Sequence, residues 1–252
     1  MGIRFTMITS GLAMVIGGAI KYFALTEAFA TSGLAHWLDS FWVAVPSSAK
    51  LAFFGFAIFG IGVEMAGITV SKTIVKWFKG KELALAMGLE MAIARLGVFA
   101  VFRLSPIFAA KSSGVPNAIF WGVAFLLVAF MLILIYTFMD RALDKELGDE
   151  LEEDAEEPFR VSDIWLILKN HGFLAIASLC VLFYSAIFPF QKFATDMLSS
   201  KLDISIKDAA AMFSFFPIGA MVLTPFIGAF LDRKGLGATM MLYGAILLTV
   251  SH

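Results

Sequence analysis

Apolar residues run along this chain in long uninterrupted stretches, and the polar positions gather between them. A bilayer core takes about 20 apolar residues wound as a helix. Runs of roughly that length predict seven spans, near residues 5–27, 49–75, 83–109, 116–139, 164–189, 209–231 and 236–252. The first run admits a second reading. "MGIRFTMITSGLAMVIGGAIKYFALTEAFA" has Arg4, an apolar middle and a closing "AFA", the layout of a secretory signal. Lys21 and Glu27 fall late in it and no soluble domain follows, which favours a span.

One long polar insert, "DRALDKELGDELEEDAEEPFR", separates the fourth run from the fifth. It divides the chain into a first helix bundle, 1–139, a linker, 140–163, and the start of a second bundle, 164–252. The acidic run reads as a solvated connector or a short amphipathic helix along the interface. Two bundles joined by a polar linker is how many transporters are built. Basic residues are unevenly placed among the short loops. Lys72, Lys76, Lys79 and Lys81 flank one turn, Arg233 and Lys234 another, and Arg141, Lys145 and Arg160 lie in the linker. The segments around "HWLDSFWVAVPSS" and "KSSGVPN" are poor in them. The positive-inside bias therefore places the turn at 76–82, the linker and the turn at 232–235 on the cytosolic side, with 191–208 as an exception.

Composition agrees with lipid as the solvent. Of 252 residues 60% are apolar and 15% charged, and the mean hydropathy is +0.88. A net charge of −1 without a basic stripe gives no case for nucleic acid. The single cysteine, Cys180, has no disulfide partner and reads as core packing. The three histidines fall in loops or at the terminus, without a metal-ligand or nucleophile pattern. The sequence thus implies no enzyme, no cofactor and no metal site, and nothing in it indicates an accessory subunit.

Two charges stand out against this background. Glu64, in "FGIGVEMAG", and Arg95, in "GLEMAIARLG", each lie 13 residues from the ends of one turn, so both sit about 20 Å into the membrane on neighbouring helices. A charge there costs at least ~2.5–3.5 kcal/mol, and it faces a cavity or a partner. Two readings stay open. The pair is a structural brace between two helices, or a site in which Arg95 grips a carboxylate with its planar fork and Glu64 receives an ammonium. Buried pairs add little net stability. Proton coupling is also open, because a nearby arginine would hold Glu64 ionised. Arg103 reads as a vestibule or interface residue, and Glu90 as a partner in some local pair. Gly55, Gly60, Gly62 and Gly67 read as close-packing positions. Pro189 is expected to end or kink its helix, and Tyr184 to reach the cavity or the core.

"GAFLDRKG", residues 228–235, resembles the cytosolic-loop signature of the major facilitator superfamily. The resemblance implies that Gly228 lets helices approach, that Asp232 and Arg233 form the charge relay of the gate, and that Gly235 makes the turn. Leu236 to Ala238 replace the further basic residues that usually end the signature. "GIR" at 2–4 is similar to the tail of the same signature in the first half. On that alignment the chain is an all-α membrane protein covering helices 3 to 9 of twelve, with helices 1, 2 and 10 to 12 outside it. "GIGVEMAG", "WFKGKELALAMGLEMAIARLG" and "YSAIFPF" resemble the lysosomal dipeptide-carrier branch and its prokaryotic relatives. That resemblance implies a multi-pass carrier of dipeptides or similar zwitterions working by alternating access, in a prokaryotic inner membrane or an animal lysosomal membrane. It also implies Glu64 and Arg95 as the holders of the substrate's amino and carboxyl ends; Tyr184, from its place before Pro189, is expected as a wall of that site. A proton-coupled organic-anion carrier and a non-transporting membrane scaffold are the alternatives.

Overall fold

The computed structural model describes residues 2–78, 83–111, 114–147, 161–234 and 236–251. Among these every regular element is a helix: α1 Ile3–Phe23, α2 Glu27–Ala30, α3 Gly33–Asp39, α4 Ser47–Trp77, α5 Leu83–Ala109, α6 Val115–Leu147, α7 Val161–Lys169, α8 His171–Leu202, α9 Ile206–Phe213, α10 Phe215–Lys234 and α11 Gly237–Ser251. Among the described residues six stretches are long and apolar enough to cross a membrane: Ile3–Phe23, Ser47–Trp77, Leu85–Ala109, Val115–Asp144, His171–Leu202 and Ile206–Thr224. A shorter apolar helix, Thr239–Val250, follows them. The all-helical, membrane-spanning class expected from the sequence is the one observed.

Two compact units form. One holds residues 1–91 and 104–154, the other 92–103 and 155–252. In the first, α1 is clasped between α4 and α6 by two stripes of small residues one position apart. Ser10 and Gly17 face α4, where a Cβ on Gly17 would lie 2.5 Å from the Gly55 carbonyl oxygen and one on Gly62 would lie 2.8 Å from the Ser10 carbonyl oxygen. Gly11 and Gly18 face α6, against Phe130 and Ile133 at one level and Leu126 and Val123 at the other. Rising numbers on α1 meet falling numbers on both partners, so α4 and α6 run antiparallel to it. Backbones this close gain dispersion contacts in lipid, where no hydrophobic force drives helices together. Of the four glycines on α4, Gly55 and Gly62 are packed in this way, while Gly60 and Gly67 meet open space. The packing also settles the role of the first run as a membrane-length helix of the bundle. Lys21 is accommodated over the rings of Phe56 and Phe59, at 5.2 and 5.3 Å.

The boundaries differ from the expected ones at several points, each for a local reason. α6 runs on to Leu147, eight residues into the segment expected as linker, where Asp140 and Asp144 meet Arg4 and Lys76. The segment 26–39 forms two short helices instead of a loop, started by Thr26 and Ser32, whose hydroxyls accept from Phe29 N and Ala35 N. The span expected at 164–189 is divided at Asn170, whose side chain caps α8 by accepting from Gly172 N and Phe173 N. Pro189 does not end that helix; α8 continues through it to Leu202. It closes at Asp203, which takes the left-handed conformation with φ 52°, tolerable for Asp. The span expected at 209–231 is broken at Ser214. Pro217 explains the break, since it has no N–H for the Phe213 carbonyl and its ring crowds that oxygen.

In the second unit the core lies where α9 folds back on the end of α8. Ala194, Ala209, Ala210 and Phe213 are buried there. Residues 92–103 of α5 add to it through Phe102, edge-on to Phe213 at 5.0 Å, and Phe99, edge-on to Phe215 at 6.4 Å.

Candidate functional site

The α1 seam fixes the rotation of α4, and with it the direction of Glu64. Gly55, Gly62 and Thr69, seven residues apart, are the buried positions of α4. At 100° per residue, Glu64 stands about 200° round from Gly62, on the side of α4 turned away from α1. It is exposed and shares that side with Ile61 and Ile68, which are 62% and 66% exposed. Thirteen residues separate it from Trp77, the end of the helix. Within its own unit Glu64 has no hydrogen-bond or ion-pair partner among the described residues.

Arg95 belongs to the second unit. It lies twelve residues into α5 and is exposed. Phe99 and Phe102 follow it by four and seven residues, so Arg95 extends the aromatic face of α5 that packs on Phe213 and Phe215. Within that unit it too has no ion-pair partner among the described residues. Arg103, read from the sequence as a vestibule or interface residue, has its guanidinium over the rings of Phe99 and Phe215, at 5.7 and 5.5 Å. Cation–π attraction holds it there. Glu90, expected to pair locally, is half-buried, and its Oε2 is shielded from water with no donor on it among the described residues. Tyr184 is 49% exposed and stacks on Phe188, one turn on, at 4.9 Å.

The expected gate motif is only partly visible. Gly228, Asp232 and Arg233 are backbone positions within α10, which runs through Lys234 instead of ending before the turn. Their side chains, and Gly235 altogether, lie outside the described residues. So do Lys79, Lys81 and most of the acidic linker.

A polar cluster that sequence reasoning missed ties the first unit together at the helix ends. Asp140 on α6, the first residue of the segment expected to be a solvated linker, is 1% exposed. Its Oδ1 accepts from Lys76 Nζ at 2.7 Å, Tyr136 Oη at 2.9 Å and Trp77 Nε1 at 3.3 Å. Its Oδ2 faces Arg4 Nη1 at 3.6 Å. Asp144, one turn later, accepts from Arg4 at 2.6 Å and Lys76 at 2.5 Å. Two cations from α1 and α4 thus meet two anions from α6, and each buried charge finds the partners that burial demands. The signal was present: two acids at i, i+4 closing the fourth run, and bases at the matching ends of the first and second. It was passed over because each residue alone reads as an interfacial charge.

No solved structure matches the chain. The family model for the Major Facilitator Superfamily matches residues 1–251. Among curated proteins, the chain is 28% identical over its whole length to the lysosomal dipeptide transporter MFSD1 of Mus musculus. The figure is also 28% for that of Danio rerio and 24% for that of Homo sapiens. The chain spans about half the length of these relatives, 51%, 52% and 51% respectively. They are transporters by name, in keeping with a sequence that offers no catalytic pattern. With antiparallel membrane-length helices and a family match that runs from one end to the other, the chain is a multi-pass integral membrane protein and belongs to the Major Facilitator Superfamily.

Proposed function

We propose that the chain forms part of a carrier for dipeptides or similar small zwitterions, which passes them across the membrane by rocking of two helix bundles about a midplane site. Glu64 receives the substrate's ammonium, Arg95 its carboxylate through a bidentate fork, and Tyr184 supplies an aromatic wall. The observation that supports this reading is Glu64: a carboxylate in mid-helix, turned away from the α1 seam, with no cation of its own unit paired to it among the described residues. A site for a cationic group gives a mid-helix carboxylate a reason to be there. The names of the relatives support the substrate class.

The test is uptake of a labelled dipeptide into vesicles, with the chain joined to the portions of a relative that its match leaves out. Glu64→Gln and Arg95→Ala are each expected to reduce uptake at least tenfold while the helical circular dichroism is unchanged. N-acetylated dipeptides, which lack the ammonium, are expected not to compete. Uptake unaltered in both variants would remove the site. Competition by the N-acetylated compounds equal to that of free dipeptides would favour an organic anion as the substrate. Saturable uptake absent from the unsubstituted protein would favour a scaffold.

A further inference from the structure

We propose that α7, Val161–Lys169, is an in-plane membrane anchor. In this assignment the helix lies at the boundary between headgroups and acyl chains on the linker side of the bilayer, with lipid as its partner. Three features point there, whatever the protein carries: the room α8 takes in the membrane, the break at Asn170 and the apolar surface α7 displays.

Room comes first. Beyond Asn170, residues 171–191 contain no Asp, Glu, Lys or Arg. As helix they reach about 32 Å, enough to fill a hydrocarbon core of about 30 Å. α8 therefore spans the membrane by itself. A straight continuation of it through α7 would leave nine further residues, about 14 Å of helix, outside the core. Such a segment should be polar. It is the reverse: Ile164, Trp165, Leu166, Ile167 and Leu168 stand in a row and are 44%, 68%, 70%, 45% and 44% exposed.

The break resolves the conflict. Asn170 leaves helical geometry, with φ −78° and ψ 111°. Its side chain takes over the first donors of α8, so α8 starts afresh and the chain can change direction without unsatisfied N–H groups. A helix that merely lengthened a span would need no such stop. Turned along the interface, α7 keeps its apolar residues among acyl chains. Trp165 is then at the depth that tryptophan prefers, and Lys169 can extend to the phosphates. The preceding "GDELEEDAEE", residues 148–157, repels anionic headgroups, so the attachment is apolar and not electrostatic.

Spin labelling tests this. In a Cys180→Ser background, single cysteines replace residues 164 to 168 in turn, with Leu179 as a mid-span reference. Each variant is labelled and the chain is reconstituted in phosphatidylcholine vesicles. Collision with oxygen and with a water-soluble nickel chelate is then measured for each label. The expected result is a stripe of α7 labels that favours oxygen over nickel, at about 5–10 Å below the phosphates and shallower than position 179, unchanged in 1 M salt. Nickel favoured at all five positions would mean α7 lies in water. Low collision with both would mean a protein surface covers it. A depth equal to that of position 179 would mean it lies within the span. Any of these overturns the assignment.

Discussion

Gly17→Ala tests the α1–α4 seam directly, because the added methyl would meet backbone on both sides. Its Cβ would lie 2.5 Å from the Gly55 carbonyl oxygen and the Phe59 amide nitrogen, and 2.8 Å from Phe59 Cβ. Backbone atoms cannot rotate away, so the two helices must separate. Reaching ordinary contact at about 3.4 Å opens the seam by about 0.9 Å. A gap of that size forfeits between a quarter and a half of each atom pair's attraction of ~0.1–0.2 kcal/mol. Taking the seam to hold about as many pairs as one buried leucine, ~50, gives a loss of about 1–5 kcal/mol. That brackets the usual cost of overpacking, about 1–3 kcal/mol. Gly60→Ala is the control, since nothing lies within 4 Å of its added Cβ. Alanine there should be neutral or stabilise by up to ~1 kcal/mol through helix propensity. Unfolding of both variants in mixed micelles, followed by circular dichroism, reads the difference. Should Gly17→Ala prove as stable as Gly60→Ala, the close approach of α1 and α4 is wrong.

Two further outcomes follow from the polar and aromatic contacts. Lys76→Met removes the ammonium that Asp140 and Asp144 share and leaves Asp140 buried. The cost should be about 2–3 kcal/mol in the same unfolding assay, below the ~3–5 kcal/mol of a fully broken buried pair, because Tyr136, Trp77 and Arg4 remain. A loss under ~0.5 kcal/mol would show that the cluster does not hold the helix ends. Arg103 and Phe215 should couple by about 0.5–1 kcal/mol in a double-mutant cycle with Arg103→Met and Phe215→Leu, and a coupling of zero would refute the cation–π contact.

The existence of the spans was legible because hydropathy over some 20 residues integrates many side chains, and no single residue can spoil it. Their ends were not, because one side chain decides each of them. Asn170 starts α8 afresh by accepting from two N–H groups, and Pro217 loosens the junction of α9 and α10 by withholding one. Pro189, equally proline, is carried inside a helix that runs on for thirteen more residues. The sequence alone does not distinguish these two outcomes, since tertiary packing makes the choice. The candidate site was half legible. Glu64 stands out because a carboxylate among apolar neighbours is conspicuous. Asp140 sits at the edge of a polar insert and was hidden by its company, although it is the more deeply buried of the two.

The seam also determines something at a distance. Glu64 points where it does because Gly55, Gly62 and Thr69 have committed the opposite side of α4 to α1. Inserting one residue between 62 and 64 would swing the carboxylate by 100° while Gly55 and Gly62 keep their places, and it would turn Thr69 out of the seam by the same angle. Substitutions that roll α4, made at positions a ligand never approaches, would re-aim the charge in the same manner. The bearing of that lone acid is thus inherited from residues chosen for their lack of bulk.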